Sequence, residues 1–536
     1  MTSEFDYIIV GGGSAGCVLA NRLSADAGNR VLLLEAGPRD THFNIKFPGG
    51  IGALVQDDKH NWKFWTAPQS HLNNRRMYCP RGKVLGGSSA INAMCYVRGH
   101  AADFDDWARA GCPGWSFDEV LPYFRRSETF HPDLHDPLHG NDGPLQVSAR
   151  VHPNNPLCES FLQAAEQAGY RRNPDLCRSE PEGVGEYRVY QRDGQRCSNA
   201  EAYLRPAEAR PNLRIETGAQ VSKVTITDGR AAGVEYVQSG QHHRATARRE
   251  IVLAAGALQS PHLLMVSGVG PAADLQRLGV PVHVDRPAVG QNLQDHLDVI
   301  VSCAARSRDS FALNPTYWPR LMKALMLYLS RRRGSLTTNI AEVGGFVRTG
   351  TEEPRPDIQW HFMASINTNH GFHMRRAWRY GYSVMSYFLR PYSRGSVRLS
   401  SADPLAAPEI DFNYGADPRD IDALVTAIRK TREVLAQPAF NPHRLVELDP
   451  GPDVITDDDL RAWVREHAET AYHPVGTCRM GSDDEAVLDP RLRVRGIAGL
   501  RVADASIMPT LVGGNTNAAA TMIGEKAAAM ILEDAA

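Results

Sequence analysis

The glycines near the start of the chain have the spacing that binds a dinucleotide. Gly11, Gly13 and Gly16 satisfy G-x-G-x-x-G. In this pattern the first glycine permits a tight turn, the second lets backbone approach a pyrophosphate, and the third allows a helix to pack closely on a strand. Glu35 follows about twenty residues later, where a carboxylate can accept both ribose hydroxyls of an adenosine. The negative charge of Glu35 would repel a 2′-phosphate, so binding of NADP is disfavoured. NAD and FAD both remain candidates for the dinucleotide.

Two strands and a helix must hold these residues in place. Phe5–Val10 is an apolar run typical of a buried parallel strand, and Arg30–Leu34 is a second run that ends at Glu35. An amphipathic helix begins between them, so its unpaired N–H groups and positive dipole face the phosphates. This order predicts an α/β fold that begins with a Rossmann-like domain. Taken over its whole length, the chain is expected to be α+β.

Composition excludes several classes of protein. The 536 residues include 59 Lys or Arg and 61 Asp or Glu, a net charge of −2 that argues against nucleic-acid binding. Nine cysteines without C-x-x-C pairs predict reduced, mostly buried thiols, and no motif indicates a metal site. The first residues lack a basic region and a cleavage-like site, and no run of 18 apolar residues occurs. These features predict a cytoplasmic protein.

Two further glycine-rich segments give the sequence a family resemblance. Gly82 to Asn92 and Gly256 to Gly270 match the two signatures of the glucose–methanol–choline (GMC) oxidoreductase family, and the second follows the apolar run Ile251–Ala255. The resemblance continues at residues 504–506 and 513–517, and it implies FAD as the cofactor. Covalent members carry a flavin-bonding histidine where this chain has residues 89–91 (Ser-Ala-Ile), so FAD is expected to be bound non-covalently.

The motifs and the resemblance together predict a set of cofactor contacts. The residues expected to contact FAD are Gly11, Gly13, Ser14, Ala15, Gly16, Glu35, Ala36, Arg81, Val84, Gly86, Gly87, Asn92, Ala93, Met94, Val221, Ala255, Gly256, Asp504, Ala505, Thr516 and Asn517. A helix predicted over Ala518–Leu532, with Asn517 as its N-cap, would direct its positive end toward the flavin.

The resemblance implies that His473 and Asn515 are catalytic. His473 lies in residues 472–481 (YHPVGTCRMG), the segment that presents the active-site histidine in the family. A neutral imidazole, with its ordinary pKa of about 6.5, can take the hydroxyl proton of an alcohol while hydride passes to flavin N5. Asn515 can hydrogen-bond the oxygen as alkoxide character develops. Without the resemblance, His473 is one of 19 histidines, and a structural role would be expected.

The resemblance also predicts two interleaved domains. Residues 1–155, 196–296 and 465–536 are expected to form the FAD-binding domain, and residues 156–195 and 297–464 a substrate domain on an antiparallel or mixed sheet. Residues 211–237 and 246–255 contain alternating runs that predict an antiparallel meander. Asp357–Phe362 is a predicted strand and Ile421–Leu435 a predicted helix of the substrate domain.

A basic amphipathic segment stands apart from these motifs. Residues 318–333 (WPRLMKALMLYLSRRR) combine apolar positions with Arg320, Lys323 and Arg331–Arg333. This composition suits peripheral contact with an anionic surface such as the inner membrane. A substrate-domain helix with a solvated basic end is the alternative, and both interpretations stay open.

Longer matching segments narrow the expected activity. Residues 19–25, 34–41, 91–99 and 290–298 resemble bacterial FAD-dependent alcohol dehydrogenases and choline dehydrogenases of the family. They imply oxidation of a primary alcohol to an aldehyde, with electrons passed to a quinone or another non-oxygen acceptor. A choline dehydrogenase or oxidase is the alternative, and it would need Glu342 and Trp62 to converge on the cation. A hydroxynitrile lyase and a light-driven decarboxylase are further alternatives on the same fold.

Overall fold

The helices and strands are those of a computed structural model that describes residues 3–130, 136–148, 155–367 and 376–535. The helices are α1 (Ser14–Leu23), α2 (Phe43–Lys46), α3 (Ile51–Leu54), α4 (Ala101–Arg109), α5 (Phe117–Ser127), α6 (Pro156–Gln167), α7 (Gly256–Val266), α8 (Ala272–Arg277), α9 (Trp318–Arg331), α10 (Pro418–Leu435), α11 (Asp457–His467) and α12 (Asn517–Ala535). The strands are β1 (Ser3–Val10), β2 (Val31–Glu35), β3 (Phe64–Trp65), β4 (Tyr78–Cys79), β5 (Cys95–Tyr96), β6 (Glu128–Phe130), β7 (Leu145–Ser148), β8 (Gly183–Glu186), β9 (Arg188–Arg192), β10 (Gln195–Arg196), β11 (Leu213–Thr217), β12 (Ala219–Thr227), β13 (Arg230–Gln238), β14 (Gln241–Leu253), β15 (Val269–Gly270), β16 (Val284–Asp285), β17 (Leu297–Ala305), β18 (Ala341–Val347), β19 (Ile358–Met363), β20 (Gly381–Phe388), β21 (Ser396–Arg398), β22 (Glu409–Asp411), β23 (Arg444–Asp449), β24 (Glu469–Thr470) and β25 (Leu500–Val502).

The first large sheet carries the glycine-rich loop. Its strand order is β11-β2-β1-β14-β13-β12, and β25 pairs with β14. β1 runs parallel to both β2 and β14, so that Ile8 lies opposite Leu32 and Ile251. The apolar residues of these central strands are buried, as the uninterrupted runs in the sequence predict. The loop between β1 and α1 therefore lies at the carboxyl edge of a parallel sheet, where open α/β folds bind ligands.

The predicted antiparallel meander is only partly correct. β12, β13 and β14 are antiparallel neighbours, as expected. Leu213–Thr217, which was expected to join them, instead forms β11 and pairs in parallel with β2. Leu213 lies opposite Val31, so β11 extends the open edge of the nucleotide-binding sheet. The alternation in a single strand does not specify its partner, and this pairing depends on a contact between distant segments.

The second large sheet is antiparallel and matches the predicted substrate sheet. Its order is β23-β17-β20-β19-β18-β8, and β24 also pairs with β17. Helices α6 and α10 pack against this sheet. Its strands fall within the predicted substrate segments except β24, which lies in the predicted segment 465–536. The division into two domains stays a prediction, and its boundary after residue 155 adjoins residues 149–154, which lie outside the described residues.

Two predictions about the chain as a whole can be compared with the structure. All nine cysteines are free and buried, as expected for reduced thiols. Within the four described ranges, no helix combines the length and the apolarity that crossing a bilayer requires.

Candidate active site

A cavity of about 430 Å³ is lined by residues from both large sheets. At one end its wall contains the loop between β1 and α1 together with Glu35 at the end of β2. At the other end it contains His473 and Asn515. A long cavity with a phosphate-binding loop at one end and titratable groups at the other suits a dinucleotide whose reactive part meets a second molecule.

The geometry of the loop fits a dinucleotide phosphate. Gly11 has φ of +101°, a left-handed conformation that glycine adopts without strain, and a Cβ there would lie 2.6 Å from the Ala254 carbonyl oxygen. A Cβ on Gly16 would lie 1.9 Å from the Gly11 carbonyl oxygen, so α1 can begin this close to β1 only with glycine. Gly13 and Ser14 line the cavity at the N-terminus of α1, where backbone N–H groups favour an anion.

Glu35 has the position and the free lone pairs to bind a ribose. Its two carboxylate oxygens accept hydrogen bonds from the Gly12 and Gly37 N–H groups at 2.8 and 2.7 Å. A carboxylate offers about four acceptor positions, so two remain for the hydroxyls of a ligand. Burial raises the pKa of Glu35 to about 7, because the ionised form is poorly solvated.

A second helix N-terminus lies along the same cavity. α12 begins at Asn517, and the Ser14 hydroxyl donates a 2.6 Å hydrogen bond to Asn517 Oδ1, so α1 and α12 start side by side. Asn517 is thus the first helical residue, and the prediction that it caps the helix is wrong because its side chain binds α1 instead. Both helix dipoles favour negative charge in the cavity.

Most of the predicted site residues lie on the cavity wall. Those that do are Gly11, Gly13, Ser14, Ala15, Glu35, Ala36, Arg81, Gly87, Asn92, Ala93, Met94, Val221, Ala255, Gly256, Asp504, Ala505, Thr516 and Asn517, together with His473 and Asn515. Gly16, Val84 and Gly86 lie behind the wall. Val84 is buried in a small apolar cluster, and the Gly86 N–H donates to the Gly12 carbonyl at 2.7 Å, so these residues support the loops.

At the far end, His473 and Asn515 are held by a chain of hydrogen bonds. Asn515 Nδ2 lies 3.1 Å from His473 Nε2, and Asn515 Oδ1 accepts a 3.1 Å hydrogen bond from Gln359 Nε2. Gln359 Nε2 also lies 2.9 Å from His361 Nε2. In this orientation of the two amides, Gln359 donates to the oxygen of Asn515, and the amide nitrogen of Asn515 faces His473. His473 Nε2 is therefore the acceptor in this pair.

The second ring nitrogen of His473 meets another histidine. His473 Nδ1 and His296 Nδ1 are 3.0 Å apart, and His296 is fully buried. Since His473 Nε2 accepts from Asn515, the proton of the neutral ring is on Nδ1 and is donated to His296. This tautomer leaves the Nε2 lone pair on the cavity side, where a general base requires it.

The surroundings of His473 keep its ring uncharged. Burial lowers the pKa of His473 well below its ordinary value, and the cation of Arg81 lowers it further. Burial likewise lowers the pKa of His296 and that of His361 to about 3. All three rings are therefore neutral near pH 7, and His473 can accept a proton.

Asp295 fixes the backbone that carries His473. Its Oδ1 accepts a 2.6 Å hydrogen bond from the His473 N–H, and its Oδ2 accepts from Tyr414 at 2.6 Å and from Thr470. Burial raises the pKa of Asp295 to about 6 against the lowering effect of these hydrogen bonds. The Asp295 carboxylate thus ties the backbone of His473 to β24 and to Tyr414.

The wall around His473 combines apolar side chains with the polar groups of Asn515 and Tyr387, whose ring lies 6.2 Å from that of His473. Ile340, Met363 and Met385 line this end. Among the described residues of the cavity wall, only Glu35 and Asp504 carry carboxylates, and Asp504 binds the Gly256 N–H and Ser260 at the start of α7.

The two residues that a choline site was expected to bring together do not share the wall. Trp62 lines the cavity and also stacks on Phe64, with ring centroids 5.7 Å apart. Glu342 is buried beside Cys158 and does not line the cavity. The predicted cationic cage therefore does not form from these residues.

The groups that orient His473 were not predicted from the sequence. Asp295 and His296 lie in the matching segment 290–298, where two adjacent polar residues precede a buried strand, and this was the available signal. Gln359 and His361 are alternate residues of β19 that point to the same side of the sheet. Polar residues in an otherwise apolar strand could have marked them, but not their partners.

Comparisons with known proteins agree with this arrangement. Two family models, both described as GMC oxidoreductase, match residues 5–298 and 391–524. An alcohol dehydrogenase [acceptor] of Pseudomonas putida is 48% identical over 98% of this chain and 96% of its own length. An oxygen-dependent choline dehydrogenase of Chromohalobacter salexigens is 44% identical over 98% of this chain and 94% of its own length.

Solved structures extend the likeness to the whole fold. A pyridoxine 4-oxidase from Mesorbium loti superimposes with a TM-score of 0.88 at 34% identity and covers 98% of both chains. A formate oxidase of Aspergillus oryzae, from a study of its FAD modification, has a TM-score of 0.94 at 29% identity and covers 99% of both chains.

Proposed function

The chain belongs to the GMC oxidoreductase family of FAD-binding flavoproteins, and on that premise we propose that it oxidises an uncharged primary alcohol to an aldehyde. The observation that carries the proposal is the His473–Asn515 pair at the apolar end of the dinucleotide cavity. FAD, when bound, supplies the acceptor for the hydride that leaves the alcohol carbon.

The wall residues divide the binding of FAD between them. The N-terminus of α1 would hold the diphosphate, Glu35 the adenosine ribose, and the N-terminus of α12 the flavin ring. Residues 88–91 contain no histidine, which supports non-covalent binding. Acid precipitation of the holoenzyme is expected to release the flavin into the supernatant, and flavin retained in the pellet would contradict this.

His473 and Asn515 would share the proton and charge changes. A substrate hydroxyl that replaces the direct hydrogen bond between the two side chains can give its proton to His473 Nε2, while Asn515 Nδ2 donates to the oxygen as negative charge develops. His296 keeps the Nδ1 proton of His473 in place, so that Nε2 is the free base. His473 is buried and Asn515 is half-buried, so their hydrogen bonds are partly shielded from water.

The apolar wall favours an uncharged substrate. A quaternary ammonium is bound by aromatic rings, by a counter-charge or by both. Tyr387 and Tyr472 supply rings near His473, but the carboxylates on the described wall are those of Glu35 and Asp504, which bind the Gly12 N–H and the start of α7. The buried Asp298 does not line the cavity, and burial raises its pKa well above the ordinary value. Choline remains the alternative substrate because similar proteins are named choline dehydrogenases.

The proposed electron acceptor is a quinone or another non-oxygen acceptor. The name of the Pseudomonas putida relative specifies an acceptor in general terms. A lipophilic quinone suits a cavity whose reacting end is lined by Ile340, Met363 and Met385.

An anaerobic stopped-flow experiment tests the proposal. Holoenzyme is mixed with hexan-1-ol, benzyl alcohol or choline, and bleaching of the flavin absorbance is recorded. We expect the two uncharged alcohols to bleach the flavin faster than choline, and reduced enzyme to be reoxidised faster by a short-chain quinone than by oxygen.

Two variants make the result specific. His473→Ala should keep FAD but lose bleaching, whereas His443→Ala, at a half-buried histidine outside the cavity wall, should bleach at the wild-type rate. Fastest reduction by choline would instead support a choline dehydrogenase. No bleaching by any alcohol would support the lyase or light-driven alternatives, and normal bleaching of His473→Ala would refute the role of this histidine.

A further inference from the structure

The outer face of α9 belongs to an unusually apolar part of the surface. Of the thirteen exposed large hydrophobic side chains among the described residues, seven lie on α9 or on segments joined to it. We call these seven the α9 surface: Phe43, Leu313, Trp318, Met322, Met326, Leu329 and Trp378. Apolar side chains concentrated in this way are typical of an interaction site.

Direct contacts connect the segments of the α9 surface. The ring of Phe43 lies 6.5 Å from that of Tyr328, which is on α9. The Leu313 N–H donates to the Ala377 carbonyl at 2.8 Å, and Asn314 Nδ2 donates to the Trp378 carbonyl at 2.8 Å. These contacts hold the loops before α9 and around Trp378 together.

α9 has an inner face that is packed and an outer face that is exposed. Ala324 and Tyr328 are buried against Leu336 and Phe47. Trp318, Met322, Met326 and Leu329 recur at intervals of four, four and three residues and so share one side of the helix. Their exposed fractions are 53, 54, 62 and 57%. One face of α9 therefore packs against the rest of the protein, and the other exposes apolar side chains to solvent.

The charge of this region is strongly positive. No Asp or Glu lies between Asp309 and Glu342, whereas Arg320, Lys323 and residues 331–333 contribute five cations. All five are exposed. Arg332 packs over the Tyr328 ring at 5.3 Å. In the part of the chain that the structure describes, the five cations form no ion pair with a carboxylate. A net charge of −2 for the whole chain thus conceals a local excess of cations.

We propose that the α9 surface docks on an anionic lipid bilayer. A helix with an exposed apolar side and nearby Lys and Arg can lie in the plane of the interface, with its apolar side chains among the acyl chains and its cations at the headgroups. A second copy of this chain fits less well, because a symmetric contact would bring five cations against five cations.

Docking there would bring the cavity close to the bilayer. α9 packs on residues 335–337, and the chain continues from them to Asn339, Ile340 and Ala341 of the cavity wall. Phe47, which also packs under α9, is followed by wall residues Ile51 and Val55. A lipophilic molecule dissolved in the bilayer would have a short route to the reacting end. The docking itself holds whatever alcohol the enzyme oxidises.

Vesicle co-sedimentation of the holoenzyme tests the inference. Vesicles of phosphatidylcholine with phosphatidylglycerol are compared with vesicles of phosphatidylcholine alone, at low and at high salt. We expect binding to the anionic vesicles at low salt, weaker binding at high salt, and little binding to the neutral vesicles. Absence of wild-type binding to the anionic vesicles at low salt overturns the inference.

Matched variants separate apolar insertion from charge. Met326→Glu should weaken binding by roughly tenfold or more, while Ile455→Glu, equally exposed but outside the α9 surface, should bind like wild type. The double reversal Lys323→Glu with Arg331→Glu should also weaken binding by roughly tenfold, whereas Arg398→Glu should not. Equal binding of Met326→Glu and wild type overturns the proposal.

Two further measurements distinguish lipid docking from self-association and from a loss of alcohol oxidation. If sedimentation shows a dimer that Met326→Glu dissociates, the α9 surface is an interface between copies, and the lipid proposal fails. Flavin bleaching by alcohol is measured for every variant in detergent-free buffer without vesicles. Lost vesicle binding with normal bleaching supports docking, whereas absent bleaching in wild type affects only the proposed oxidation.

Discussion

His296 provides a direct test of how this site makes a base. The change is His296→Leu, which removes the ring nitrogen that lies 3.0 Å from His473 Nδ1. Position 296 is fully buried, and leucine fills it with an apolar side chain. The Nδ1–H of His473 then has no acceptor from residue 296. Moving the proton to Nε2 would restore a donor but remove the base from the cavity side.

The magnitude follows from the cost of an unmet hydrogen bond. A buried N–H without a partner costs about 1–3 kcal/mol. Each 1.36 kcal/mol is about tenfold in rate, so flavin reduction at saturating alcohol should slow by roughly 10- to 100-fold. The alcohol affinity should change little, because His296 does not line the cavity.

The assay is anaerobic flavin reduction over a range of alcohol concentrations, which separates the limiting rate from the dissociation constant. His296→Gln is the conservative variant, since its amide oxygen can accept the Nδ1 proton, and it should recover a substantial part of the rate. His443→Leu controls for loss of a histidine outside the cavity wall. A wild-type limiting rate in His296→Leu, or equal loss in the Leu and Gln variants with normal FAD content, would refute the reasoning.

Three further predictions follow from burial and close packing. Because burial and neighbouring positive charge lower the pKa of His473, the acid limb of the kcat/KM profile should lie below about 6.5, and a limb at or above that pH would contradict the neutral base. Gly16→Ala should abolish FAD retention, measured by the flavin-to-protein absorbance ratio, because the new Cβ would lie 1.9 Å from a carbonyl oxygen. Gly350→Ala is the control and should retain FAD, because no atom lies within 4 Å of its new Cβ. Equal retention in both variants would contradict the packing argument. Arg98→Met removes the guanidinium that pairs with the fully buried Glu128 and leaves His139, 3.1 Å away, as its remaining basic partner. The free energy of unfolding should fall by about 3–5 kcal/mol in urea denaturation of the holoenzyme, and a loss under about 1 kcal/mol would show that the Arg98–Glu128 pair is dispensable.

Much of the nucleotide-binding part of the fold follows from local sequence. Buried parallel strands are typically continuous apolar runs, and β1 has such a run at residues 7–10 and β2 at residues 31–34. Gly11 and Gly16 mark backbone positions that other residues cannot occupy, so their spacing predicts the loop before any contact is known. The start of α12 was predicted within one residue, but the role of Asn517 as its cap was not correct, since a cap depends on what else competes for the side chain.

Strand partners were harder to predict than strands. Residues 213–217 alternate like any half-buried strand, and nothing in them distinguishes an antiparallel neighbour from the distant edge of β2. The family resemblance supplied a role for His473 and Asn515, which no local pattern could have separated from the other polar residues. Their chemistry was thus predicted by likeness, whereas their geometry was not.

The sequence by itself determined the class of cofactor site, because that depends on residue type and short spacing, whereas the candidates for catalysis came from the family resemblance. Only the tertiary structure decided which ring nitrogen of His473 carries the proton. The two residues that contact the ring nitrogens, His296 and Asn515, lie 177 and 42 positions away in the chain. It also decided that α9 has one packed face and one exposed apolar face. A helical period shows which residues share a side, but which side is covered depends on distant segments such as Phe47 and Leu336.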